Sequence, residues 1–184
     1  MSKKIWLTFS LICLLFLAFS AVAAAQSFSA DIVMKSGNDV TTGKVFVAPQ
    51  KMRMEMEGMI TITRMDLKLI WMIMPEEKMY MEMAIKPGQH IPSSDKMEGE
   101  VERVLVGSHT IDGKAASKYR ITVNTNGQKE SFYQWIASDS GFPVKMAALD
   151  NSWSHEYRNL VMAEPAASLF ELPGGYTKMS MPGM

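Results

Sequence analysis

Along most of the chain, hydrophobic and polar residues alternate with a period of two, which places successive side chains on opposite faces of a strand. In Lys51-Met52-Arg53-Met54-Glu55-Met56-Glu57 the methionines face one way and the charges the other. Lys78-Met79-Tyr80-Met81-Glu82-Met83 repeats the arrangement. Strands that are apolar on one face and wet on the other are typical of antiparallel sheets. Turn-forming residues separate the runs at Ser36-Gly37-Asn38-Asp39, Ala48-Pro49-Gln50, Glu57-Gly58, Pro75-Glu76-Glu77, Asp112-Gly113, Asn126-Gly127 and Asp139-Ser140-Gly141. Their spacing of about ten residues is that of a meandering all-β domain. The pattern predicts strands over 28–35, 41–48, 50–57, 59–65, 68–74, 78–85, 101–109, 116–124, 129–137, 143–149 and 154–162. Leu69 to Met74 is apolar on both faces, so this strand is expected in a central position with its outer side covered. Pro87 to Asp95 reads as one long loop, able to carry a short helix or act as a flap. No run of helical length has a 3.6-residue period, although Ala163 to Phe170 is long enough for a single turn.

The first 25 residues follow a different logic. Lys3 and Lys4 precede an apolar run from Ile5 to Ala18, and small residues follow up to Ala23-Ala24-Ala25. That order is the pattern of a secretory signal peptide cut before Gln26. An uncleaved membrane anchor is the alternative, because Ile5 to Ala25 is just long enough to span a bilayer. The small residues at the end of the run favour cleavage. Cys13 lies inside the apolar run and follows Ile12, which is not the setting of a lipidation signal. The expected organisation is a signal peptide over 1–25, one domain over 26–178 and a flexible Met-rich tail over 179–184, in a periplasmic or secreted protein.

Composition narrows the function. A chain of 184 residues, 47% hydrophobic and 21% charged, suits a single globular domain and excludes a disordered or collagenous protein. Basic and acidic residues balance at 19 each, and loss of Lys3 and Lys4 leaves a net charge of −2. Such a balance gives no electrostatic footing for nucleic acid. Cys13 is the only cysteine, so the exported chain has no disulfide, thiolate catalyst or cysteine metal site. Ser108-His109 and the group Asp150, Ser152, Ser154 and His155 contain the residue types of a catalytic triad, but no nucleophile elbow accompanies them. Phosphate-loop, dinucleotide and zinc-protease motifs are missing from the sequence.

Methionine is the distinctive chemistry: of 18 in all, ten lie between residues 52 and 83. Thioethers are flexible and polarizable, and a surface lined with them adapts to irregular apolar ligands. Their use in strands runs against β propensity, although core filling accounts for them equally well in composition. A metal is the competing chemistry, since thioethers are soft neutral ligands that select Cu(I). Two methionines at i and i+2 on a strand lie about 7 Å apart, close enough for their sulfurs to converge. Met52/Met54/Met56, Met79/Met81/Met83 and the tail Met179 to Met184 have this spacing, and Trp71 could lie over such a cation. His90, His109 and His155 are the stronger ligands available, all outside the Met-x-Met runs. A sink for oxidants is a third use of thioethers, and it requires exposure.

Gly43-Lys44-Val45-Phe46-Val47, Arg53-Met54-Glu55-Met56 and Trp71-Met72-Ile73-Met74-Pro75-Glu76-Glu77-Lys78-Met79-Tyr80-Met81-Glu82-Met83 resemble a bacterial envelope family known as a domain of unknown function, DUF4412. Ile111-Asp112-Gly113-Lys114, Lys118-Tyr119-Arg120, Trp135, Gly141-Phe142-Pro143-Val144-Lys145-Met146 and Ser168-Leu169-Phe170-Glu171-Leu172-Pro173-Gly174-Gly175-Tyr176 extend the resemblance over nearly all of the exported chain. That family is similar in outline to the lipoprotein carriers of the LolA and LppX type. The resemblance implies a curved antiparallel sheet forming an open, LolA-like half-barrel whose concave face holds acyl chains. The expectation is therefore an all-β, monomeric, non-enzymatic protein with no cofactor that binds a lipid or lipoprotein acyl chain. Met52, Met54, Met56, Trp71, Met79, Met81 and Met83 are the assigned lining, with Phe46, Tyr119 and Trp135 as neighbours. The alternatives are Cu(I) or Ag(I) binding by the same six methionines, and a sensor or interaction protein with a partner in the cell envelope.

Overall fold

The structure, a computed structural model, describes residues 27–85, 97 and 99–179. The expected signal peptide, the Pro87 to Asp95 stretch expected to form a loop, and the tail beyond Met179 lie outside the described residues. Strands β1 (Phe28–Ser36), β2 (Asp39–Ala48), β3 (Lys51–Met56), β4 (Met59–Arg64), β5 (Leu69–Met74) and β6 (Met79–Ala84) form a first meander. A second comprises β7 (Glu100–Ile111), β8 (Lys114–Thr125), β9 (Gln128–Ala137), β10 (Pro143–Ala148) and β11 (Trp153–Val161). These strands occupy the runs predicted from alternation. The hairpins close as their turn residues dictate: Asn126 and Gly127 have φ of 53° and 85°, and Asp112 and Gly113 have 48° and 74°. Two successive left-handed residues make the tight turn whose twist matches that of the flanking strands.

With a two-residue strand β12 (Thr177–Lys178), all strands join one open, curved sheet in the order β12-β6-β5-β4-β3-β2-β1-β11-β10-β9-β8-β7. Pairing is antiparallel except at β12, which runs parallel to β6. The meanders meet where β11 pairs with β1, so the N-terminal strand lies in the middle and β7 at one edge. A first core cluster gathers Phe28, Ala30, Val45 and Val47 with Trp135, Phe142, Val144 and Leu160. Phe28 and Phe142 meet edge to face at 4.6 Å between ring centroids.

The position of β5 departs from expectation. This strand is apolar on both faces, yet it lies two strands from the β12 edge rather than centrally. Its outer cover is the C-terminal segment. After β11 the chain makes a short 3-10 helix at Ala167–Phe170, in the stretch predicted to hold one turn. Phe170 is buried against Ile62, Trp71 and Ile73, with Leu169, Leu172 and Tyr176 around it. Two arginines fasten this strap. Arg53 Nη1 donates to the Leu169 carbonyl at 3.1 Å, and Arg64 Nη1 donates to the Phe170 carbonyl at 3.1 Å and to Glu171 at 2.9 Å. Arg64 also forms a forked pair with Asp66, at 2.9 and 2.7 Å, which holds the Asp66 carboxyl below the usual carboxylate range. Beyond the helix, Thr177 N–H donates to Lys78 O at 2.9 Å and Met179 N–H to Tyr80 O at 2.8 Å, adding β12 to the sheet.

Candidate functional site

Register decides which side chains share a face, because residues directly opposite across a strand pair point the same way. Between β3 and β4 the pairs are Met52 with Thr63, Met54 with Thr61 and Met56 with Met59. Thr61 then pairs with Met72 and Thr63 with Ile70. On β6, Met83 faces Ile70, Met81 faces Met72 and Met79 faces Met74. One side of β3–β6 therefore carries Met52, Met54, Met56, Met59, Met72, Met74, Met79, Met81 and Met83, with only Thr61, Thr63 and Ile70 between them. One cross-strand row runs Val45-Met54-Thr61-Met72-Met81. Through Val45 and Val47 this surface is continuous with the first core cluster, against which Met52 also packs.

The methionines are mostly half-buried, and Met59 and Met79 stand 40% and 36% exposed. The face is thus neither a sealed core nor a fully wet surface. Six of the seven residues assigned from sequence lie on it, namely Met52, Met54, Met56, Met79, Met81 and Met83. Trp71 does not. It pairs with Ile62 and Glu82, which puts its indole on the opposite face, buried under the C-terminal strap. Its Nε1 donates to Glu82 at 3.1 Å, and Lys178 from β12 donates to the same carboxylate at 2.7 Å. Together these donors hold the Glu82 carboxyl below its usual range, the Lys178 bond contributing most. The physical reason for the correction is parity: in β5, Ile70, Met72 and Met74 face the methionine side while Leu69, Trp71 and Ile73 face the strap.

Sequence reasoning left Met59, Met72 and Met74 out of this face. The signal was present in the alternation once the β4–β5 register is known. Of the suggested neighbours, Phe46 and Trp135 lie on the far face, whereas Tyr119 shares the methionine side. Trp135 is covered there by Lys118 and Lys145, whose ammonium groups lie 4.9 and 5.6 Å from its ring.

A second row on the methionine side runs Tyr119-Gln134-Met146-His155-Met34-Thr41. At the end of the sheet where the β1–β2 and β3–β4 turns meet the start of β11, a cavity of about 430 Å³ opens among Met34, Thr41, Met56, Trp153 and His155. Gly43, the partner of Met56, leaves room for that side chain to lie across it, with Met56 Cγ 2.6 Å from where a Gly43 Cβ would stand. Trp153 and His155 stack edge to face at 5.7 Å. Partial burial lowers the His155 pKa and so favours its neutral form. Among the described residues, no group of three or more His, Cys, Asp or Glu is placed to hold a metal ion. The triad residue types are dispersed: Ser108 and His109 lie on β7, with three strands between them and Ser154 and His155 on β11. Asp150 caps its own turn by accepting the Ser152 N–H at 3.0 Å.

An open, curved sheet of this connectivity defines a LolA-like half-barrel. The chain belongs to the DUF4412 family, a domain of unknown function, whose model matches residues 28–140. Among curated proteins, none matches it by sequence. Among solved structures it is similar to a chain of the Pseudomonas aeruginosa MucA/MucB complex, at 14% identity and a TM-score of 0.57 over 86% of this chain. MucB alone gives 13% identity and a TM-score of 0.56 over 84%. This chain spans about three fifths of those two chains, 59% and 60%. LprF from Mycobacterium bovis, at 13% identity and a TM-score of 0.50, is matched over 84% of this chain and 92% of its own. At these identities the likeness is one of fold.

Proposed function

We propose that this protein holds an apolar ligand, a lipid or the acyl chain of a lipoprotein, on the methionine face of β3–β6, that it does so in the periplasm, and that it catalyses no reaction. The observation that carries the reading is the placement of the thioethers on one uncharged side of four strands. The other side of β4–β6 already has its cover in the C-terminal strap, which leaves the methionine side as the free apolar surface among the described residues. Magnitudes favour a long ligand. Each methylene moved from water gains about 0.8 kcal/mol, against an association cost of about 4–15 kcal/mol. An acyl chain can exceed that cost where a small apolar molecule cannot. Flexible thioethers suit tails of varied length and unsaturation. The N-terminal charge, apolar and small-residue pattern supports export.

Recognition of an envelope protein is a second reading, favoured by the β7 edge, where Val101, Val104, Leu105 and Val106 are exposed at 38–60%. MucB, of similar fold, is seen in complex with MucA. An open edge strand offers unpaired backbone groups to a partner chain.

The acyl reading is tested with a fluorescent fatty-acid probe and the triple variant Met54→Leu, Met72→Leu, Met81→Leu. Leucine keeps apolar area and volume, so the probe's Kd is expected to stay within a factor of about three. Failure of the natural chain to bind the probe, or loss of binding in the folded triple variant, contradicts the reading.

A further inference from the structure

We propose that Met34, Met56 and His155, with Trp153 beside them, form a binding site for a soft monovalent cation, Cu(I) or Ag(I). Of the Met-x-Met runs only Met56 takes part, joined by residues of two other strands, and the site does not rest on the acyl reading. Met34 and His155 are direct cross-strand partners, which puts their Cβ atoms about 4.5–5.5 Å apart. Met56 reaches the same space from β3. The strand between them presents Thr41 and Gly43, so no large side chain fills the gap. The resulting cavity of about 430 Å³ is bordered by both thioethers, the imidazole and the indole.

The donor set decides the metal. Two thioethers and one imidazole are neutral, soft to intermediate ligands, which suit Cu(I) and not Mg(II) or Ca(II). The Trp153 ring, 5.7 Å from that of His155, is close enough to meet a cation from its π face. Met146, the partner of His155 on β10, supplies a third thioether on the far side of the imidazole. Asp39 and Glu57 also border the cavity, together with Lys35, which the register places on the other face from Met34. Glu57 is held by a hydrogen bond from Thr41 Oγ1 at 3.0 Å. The two carboxylates against one ammonium leave the mouth favourable to a cation.

Silver serves as the probe because it does not change oxidation state. The full chain is titrated with Ag(I) and followed by native mass spectrometry and tryptophan emission. One tight equivalent is expected, and Met34→Leu and His155→Phe are each expected to weaken it by more than about tenfold. The pair Met79→Leu, Met81→Leu, on the distant edge of the methionine face, is expected to leave that equivalent unchanged. Trp153→Phe is expected to abolish the emission change. Methyl resonances of the natural chain give a readout that needs no folded variant at the site: Met34 and Met56 are expected to shift first. The proposal is overturned by no Ag(I) uptake, by a first equivalent unaffected in the folded Met34→Leu and His155→Phe variants, or by equal affinity for Zn(II), which would mark the rim carboxylates as the ligands.

Discussion

Replacing Met54 and Met81 together by aspartate is expected to abolish uptake of an acyl ligand. The two side chains lie on one cross-strand row with Thr61 and Met72 between them, so a chain laid along the row touches both positions. A carboxylate there must be desolvated when the ligand binds, and burying an unpaired charge costs several kcal/mol. A loss of affinity of more than about a hundredfold follows from only ~2.7 kcal/mol. Both methionines are half-buried in the unliganded protein, so the charges can remain wet and the fold survives. Thr42→Asp, at an exposed position on the far face, is the control expected to leave the probe affinity unchanged. A folded double variant that binds the probe like the natural chain contradicts the assignment of the face.

Removal of the Phe170 ring is expected to give the largest loss of stability. Phe170 is 1% exposed and fills the space over Ile62, Trp71 and Ile73, two of which are completely buried. Phe170→Ala is expected to cost about 3–5 kcal/mol, the range for a buried Phe replaced by Ala. Urea denaturation gives the value, and Trp71, losing its cover, is expected to emit at longer wavelength. A cost below about 1 kcal/mol would mean that the strap is not part of the core. Acid acts on the same element through Glu82. Because the Lys178 and Trp71 hydrogen bonds lower its pKa in the folded chain, its contribution is fully present above the ordinary carboxylate range. It is lost as pH falls through the depressed value. Glu82→Gln is expected to remove this part of the fall in Tm between neutral and acid pH.

The strands were legible in the sequence because alternation and turn chemistry are local. Lys51 to Glu57 can bury its methionines in only one strand orientation, and Asn126-Gly127 can close only a tight hairpin. The methionine face was legible for β3 and β6, where charges mark the other side. It was not legible for β5, where both faces are apolar, and Trp71 was assigned to the wrong one. What separates Trp71 from Met72 is the pairing of β4 with β5 and the cover brought by Phe170, and both depend on residues distant in sequence. β12 was invisible for the same reason: two residues make no periodic signal, and only their bonds to Lys78 and Tyr80 make them a strand. The meeting of Met34, Met56 and His155 depends on the pairing of the first strand with the last of the second meander. No spacing along the chain encodes it.

Native mass spectrometry of the protein recovered gently from a periplasmic extract tests the central claim most directly. The account predicts a bound organic mass of several hundred daltons that is retained under mild ionisation and released by organic solvent. Bare protein in every preparation, together with no uptake of an added fatty acid, would contradict it.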